Sequence, residues 1–339
     1  MFESLWPRYA SKITLILRNI GNHVTLMDSE VTLANIIEAD AARAKAYEEY
    51  ERNEAARQAQ QFESMRLLLS PHLYDDELER LRRKYYAKSG EWLGNEDQFR
   101  KWINPINYST NLFWLIGIPG AGKTVLSSTI VDRAEKLSRN TLFAFLSFQN
   151  RERTTTLKVL QSFIFQLLYE HRDLQPMLYH ANPRKISSSQ AFAQSLLVDL
   201  LQCIGSTKPE QSRAAVPIDP NDSSQSSSVN PIEPVYVILD GVDEIGEYER
   251  VVLLRSLLEI LENCENMKLL ISSRAEVDIS KILGQRTEPI RIDHKNSQDI
   301  DSYVRARVNT WLSELGFDSA TSNEIRDLVK PITGKSRGE

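Results

Sequence analysis

The chain has 339 residues, 41% apolar and 26% charged, with a formal net charge of −5. That length can bury a sizeable core and suits one to three domains, and the composition excludes collagen-like, wholly disordered and disulfide-scaffold proteins. Two cysteines, Cys203 and Cys264, and scattered histidines provide no disulfide framework or zinc cluster, while the negative charge removes a global nucleic-acid footprint and leaves only a local patch open.

No apolar run reaches the roughly 18 residues of a membrane-spanning helix. The N-terminus lacks a basic region followed by a clean apolar core, so it reads as mature sequence of a reducing, cytoplasmic compartment. In chain order, the first predicted helix covers about Phe2–Ile20, where Phe2, Leu5, Trp6, Tyr9, Ile13, Ile16, Leu17 and Ile20 form one apolar stripe. Packing on neighbouring helices is the first expectation. A membrane-seeking arm is the second, weakened by the few basic residues on the polar face. A second helix is predicted from about Ser29 to Leu69, capped by Asp28 or Ser29. Half its residues between Asp40 and Arg57 are charged, which suits a solvated rigid arm or loose coiled-coil partner. The basic run Arg80–Lys88 reads as a solvated helix end leading into the next domain, with single-strand nucleic-acid contact as the alternative.

From about Asn111 short apolar runs alternate with helical patterns. Strands are predicted at Asn111–Ile116, Thr141–Phe148, Val235–Leu239, Lys268–Ser272 and Glu288–Ile292. Helices are predicted at Val125–Leu137, Thr155–Glu170, Ser188–Cys203, Glu247–Leu261, Val277–Leu283 and Ser297–Leu315. That alternation predicts an α/β fold, a parallel five-stranded sheet flanked by helices. Gly205–Pro234 holds five prolines and seven serines in thirty residues and reads as a disordered insertion, with plain spacer preferred over phosphorylation site.

Three motifs carry chemistry. GIPGAGKT, Gly117–Thr124, fits G-x-x-x-x-G-K-[ST], with an apolar strand before it and a helix after it. Its glycines let backbone N–H groups face phosphate oxygens, and the helix N-terminus adds its positive dipole end. Gly117, Gly120, Ala121, Gly122, Lys123, Thr124 and Val125 are the candidate phosphate-binding residues, with Lys123 reaching the β- and γ-phosphates and Thr124 a Mg²⁺ ion. A second Gly-Lys-Ser, Gly334–Ser336, fails the pattern because Val329 stands where the first glycine belongs. In VYVILDGVDEI, Val235–Ile245, five apolar residues end at Asp240, the form of a Walker B strand and the second candidate Mg²⁺ ligand. Asp243 and Glu244 follow as candidate catalytic carboxylates, one to orient water and the other to serve the metal or a neighbouring arginine. In KLLISSRAE, Lys268–Glu276, Arg274 at a strand end is a candidate γ-phosphate sensor, with pairing to a surface carboxylate as the alternative.

With Asp240, Gly241, Val242, Asp243 and Glu244 in that order, the sequence resembles the NACHT NTPases of the STAND class of signalling ATPases. GEWLGNEDQFRKWI, Gly90–Ile103, followed by NLFWLIGIPGAGKT, is similar to the subgroup with a nephrocystin-like N-terminal arrangement, abundant in filamentous fungi. FAFLSFQ and LQSFIFQLL fit its second strand and following helix. The resemblance implies a helical N-terminal arm over residues 1–88, an NTPase domain over 89–315 and the start of a truncated helical segment over 316–339. It implies that the strand Lys268–Ser272 lies between the two Walker strands, bringing Arg274 beside the γ-phosphate. It also implies a switch between ADP- and ATP-bound forms with Mg²⁺ and slow hydrolysis, in non-self recognition or regulated cell death. The arm is then expected to self-associate or to hold a signalling partner. A nucleotide-holding scaffold without turnover and a small-molecule P-loop kinase are the rivals, and the kinase lacks an arginine-rich lid.

Overall fold

The strands form because their residues are apolar on both sides, which suits burial under helices on a parallel sheet. In the computed structural model, which describes residues 6–83, 89–149, 154–206, 233–293, 295–316 and 319–335, contacts divide the chain into two units, 1–64 and 65–339.

The described part of the first unit lies within one helix, α1, Trp6–Leu69, which runs on into the second unit. The two helices expected here are therefore one, and Asp28 and Ser29 cap nothing. Pro7 stands in the first turn, where a helix tolerates it, no proline follows before Leu69, and Gly21 costs only about 1 kcal/mol against alanine in a helix interior. The hydroxyls of Thr25, Ser29 and Thr32 bond back to the carbonyls of Asn22, Leu26 and Asp28 instead of capping a new start. Every residue from 12 to 53 whose exposure is described is exposed, Ile13, Ile16, Leu17 and Ile20 of the apolar stripe among them.

The second unit begins with α2, Asp75–Arg82, and α3, Asp97–Ile103. Then come β1, Leu112–Ile116; α4, Lys123–Glu135; β2, Thr141–Phe145; and α5, Thr156–Glu170. Two short helices, α6 Gln175–His180 and α7 Pro183–Ser188, precede α8, Gln190–Ser206. The chain continues with β3, Val235–Asp240; α9, Glu247–Asn263; β4, Met267–Ser273; α10, Val277–Leu283; and β5, Ile290–Arg291. It closes with α11, Ser297–Leu315, and α12, Ser319–Lys335. The sheet is parallel throughout, in the order β2-β3-β4-β1-β5. The strand expected between the two Walker strands is there. The bulk of the expected insertion, residues 207–232, lies outside the described residues, as do 84–88 of the basic run.

Helix α3 docks through Phe99 and Trp102, whose rings meet Phe113 of β1 at centroid distances of 5.6 and 5.7 Å; Tyr236 of β3 meets Trp102 at 5.5 Å. Its last carbonyls have no partner within the helix. The sheet supplies them: Tyr236 Oη donates to Ile103 O at 2.6 Å, and Lys268 Nζ, fully buried on β4, donates to the carbonyls of Trp102, Asn104 and Asn107 at 2.8, 2.8 and 2.6 Å. Burial pushes the Lys268 ammonium down to about 8, so at neutral pH it keeps the three protons that three acceptors require. Lys268→Met keeps the length and strips every donor. It should lower unfolding stability by about 3 kcal/mol through unsatisfied buried carbonyls, read as a reduced midpoint in urea with an unchanged slope. A variant as stable as the parent would show that water replaces the ammonium.

Candidate functional site

The strand register sets the site. Phe145, Asp240 and Ser272 stand abreast on β2, β3 and β4, and Ile116 pairs with Ser273. Gly117, Asp240 and Arg274 therefore leave the sheet along one edge, at the carboxyl ends of the strands, where open α/β sheets bind ligands.

The loop Gly117–Gly122 curls over that edge. Ile118 N donates to Asp293 Oδ1 at 2.7 Å, and Asn296 Nδ2 donates to Ala121 O at 2.8 Å. Gly122 has φ of +85°, and a β-carbon there would overlap the Asn296 amide, so only glycine fits. The first turn of α4 leaves its amides without partners in the helix, aimed at an anion. Lys123 Nζ lies folded on the loop, donating to Gly117 O at 2.8 Å and Ile118 O at 3.1 Å. Burial lowers its basicity, while Asp243 and Asp240 raise it.

Asp240 is buried, and Ser127 Oγ donates to its Oδ1 at 2.9 Å. Burial pushes its carboxyl upward, and the hydroxyls of Ser272, Thr124 and Ser127, with the Lys123 charge, pull it down. Thr124 and Asp240 are hard oxygen donors, the set that Mg²⁺ takes in small number beside phosphate and water. Gly241 follows at φ +76°, packed on the Leu146 carbonyl; this is the physical reason for a small residue after the Walker B aspartate.

Asp243 and Glu244 separate in role. Both oxygens of Asp243 are taken by Arg274: Oδ1 accepts its backbone N–H at 2.9 Å, and Oδ2 pairs with its Nε at 2.9 Å. The Arg274 side chain remains about half exposed at the strand end. Glu244 Oε2 accepts Phe148 N at 3.2 Å, and the carboxylate is half-buried. The arrangement joins the amides at the start of α4, a lysine, a hydroxyl–carboxylate pair, a cation and a half-buried carboxylate along one sheet edge.

Beside the loop lies a cavity of about 280 Å³ with apolar walls from Val125, Leu126, Ile300, Tyr303 and Val304, and Asp299 at its rim. Three ties fasten the stretch Gly90–Glu96 to the start of α11. Gly90 N donates to Asp299 Oδ2 at 2.7 Å, Trp92 Nε1 to Asn296 Oδ1 at 3.3 Å, and Lys295 pairs with Glu96 at 2.6 Å. Asp293 and Asn296 escape sequence reasoning, because they stand 175 residues after the loop residues they hold, as does Asp299, which stands 209 residues after Gly90; none carries a motif of its own.

Residues 88–232, just under half of the chain, match the family described as nephrocystin 3, N-terminal. The matched residues include the loop Gly117–Thr124. That loop, running from β1 into α4, has the form of a P-loop. Among solved structures, the chain aligns with the Walker-type ATPase PABY2304 of Pyrococcus abyssi at 16% identity and a TM-score of 0.37. The alignment covers 70% of this chain and 62% of that one, so this chain spans less than two thirds of its length. No curated protein matches the chain. No helix among the described residues is long and apolar enough to cross a membrane.

Proposed function

We propose that the chain binds ATP or ADP with Mg²⁺ and acts as a slowly hydrolysing switch of the STAND class. The observation that carries this reading is the common sheet edge shared by the loop with Lys123, the buried Asp240 and the Arg274–Asp243 pair. In this proposal the amides of the loop and of Gly122, Lys123, Thr124 and Val125 cradle the phosphates. Lys123 leaves its own loop carbonyls for phosphate oxygens. Thr124 and Asp240 hold the Mg²⁺, which offsets charge on the β- and γ-phosphates when bound. Glu244 orients the attacking water, and Asp243 holds Arg274 toward the γ-phosphate. The apolar cavity between α4 and α11 takes the base.

The wider role rests on the resemblance alone. In this proposal the switch serves non-self recognition or regulated cell death, with the helical arm as the element that self-associates or holds a signalling partner, and works in the cytoplasm, as the N-terminal sequence suggests. Calorimetry with Mg·ATP and single-turnover hydrolysis of radiolabelled ATP by the purified chain test the chemical part. Saturable binding with slow, stoichiometric product formation is expected. Binding without product would reduce the chain to a nucleotide-holding scaffold, and no binding would overturn the site.

A further inference from the structure

The exposed half of α1 carries a pattern that the nucleotide site does not use. From Ile13 the residues Leu17, Ile20, Val24 and Met27 follow at alternating steps of four and three, and the sequence continues the alternation through Val31 to Ala34. This is a 3.5-residue repeat, the spacing that keeps one seam of a helix facing a partner helix. Ile13, Leu17, Ile20, Val24 and Met27 are between 38% and 66% exposed. Contiguous apolar surface of this kind marks an association site. The seam stops at Glu38, where the next apolar position is due.

We propose that the chain associates with a second copy of itself through a parallel, in-register coiled coil whose seam runs from Ile13 to Ala34. This deepens the reading of the arm as an association element and does not depend on the nucleotide site. The seam is self-complementary, as a symmetric contact requires. Flanking charges choose the orientation. In a parallel pair each residue beside the seam on one edge meets the residue five places later in the other copy. His23 then faces Asp28, Glu30 faces Asn35, and Ile16 faces the space over Gly21; no like charges meet. The antiparallel register that keeps every apolar layer together instead sets His23 against His23 and Ile16 against Glu30. The low charge of the seam's flanks, which weakens a membrane-seeking role, costs a coiled coil nothing.

The full chain tests this by sedimentation across a concentration series, with circular dichroism to confirm unchanged helix content. The parent chain should sediment as a dimer or larger. Val24→Glu, which places a carboxylate in the seam, should shift it to the mass of a single chain. Asn22→Glu, on the outer face, should leave the assembly intact. A parent that remains a single chain overturns both the seam and the association reading, and cosedimentation of that single chain with anionic vesicles would assign the stripe to a lipid surface instead. An assembly that survives Val24→Glu overturns the seam while the association reading stands. For orientation, Ile20→Cys in a Cys203→Ser background should form a covalent dimer on oxidation, because a parallel pair sets residue 20 opposite itself. Crosslinking only when Ile20→Cys chains are mixed with Val24→Cys chains would overturn the parallel arrangement.

Discussion

Lys123→Ala should weaken Mg·ATP binding by roughly 2–4 kcal/mol, a factor of about thirty to a thousand, if a charge-assisted contact to phosphate is lost. In the structure the ammonium rests on Gly117 O and Ile118 O. The same substitution therefore removes two hydrogen bonds within the loop. Melting temperature should fall slightly while binding falls steeply, and calorimetry on both proteins separates the two effects. Equal affinities would remove the phosphate from this loop.

Glu244→Gln should keep nucleotide bound and slow single-turnover hydrolysis by about a hundredfold or more, the scale of lost acid–base assistance. Asp243→Asn should act differently. Its carboxylate holds the backbone and side chain of Arg274, so its loss frees the arginine and leaves the Glu244 position unchanged. Arg274→Ala should then reproduce the Asp243→Asn defect, and the double variant should be no worse than either single one. Additive losses at Asp243 and Arg274 would show that Asp243 acts on water directly. Normal turnover in Glu244→Gln would move the base elsewhere.

Local patterns made much of this protein legible before any coordinates. Apolar runs of five to seven residues separated by helical periods lead to a parallel sheet, because a strand buried on both faces must be apolar throughout. Gly117–Thr124 and the Asp240 strand were readable because phosphate binding needs backbone conformations that only particular residues adopt at fixed spacing. The end of α11 at Leu315 was equally local, with Gly316 at φ +66° stopping the helix. The short helices α2, α3, α6 and α7 escaped, since two turns or fewer carry too little periodicity to separate from loop. The supposed break near Asp28 failed for a related reason: serine and threonine cap a helix only if the chain turns there, and otherwise their hydroxyls bond backward within it.

Tertiary structure alone decided the rest. A charged residue heading the buried strand Met267–Ser273 has no explanation in sequence until Trp102, Asn104 and Asn107 turn their carbonyls toward Lys268. That Asp243 pairs with Arg274 while Glu244 does not is visible only once Arg274 arrives from another strand. Asp293 and Asn296 hold the phosphate loop from the far end of the domain. The sequence by itself determined those features that one segment's own backbone enforces: the strands, the phosphate loop and the Walker B aspartate. Only the folded chain decided those that depend on a partner from a distant segment, because a single side chain's role in a site is set by which neighbour satisfies its charge or hydrogen bonds.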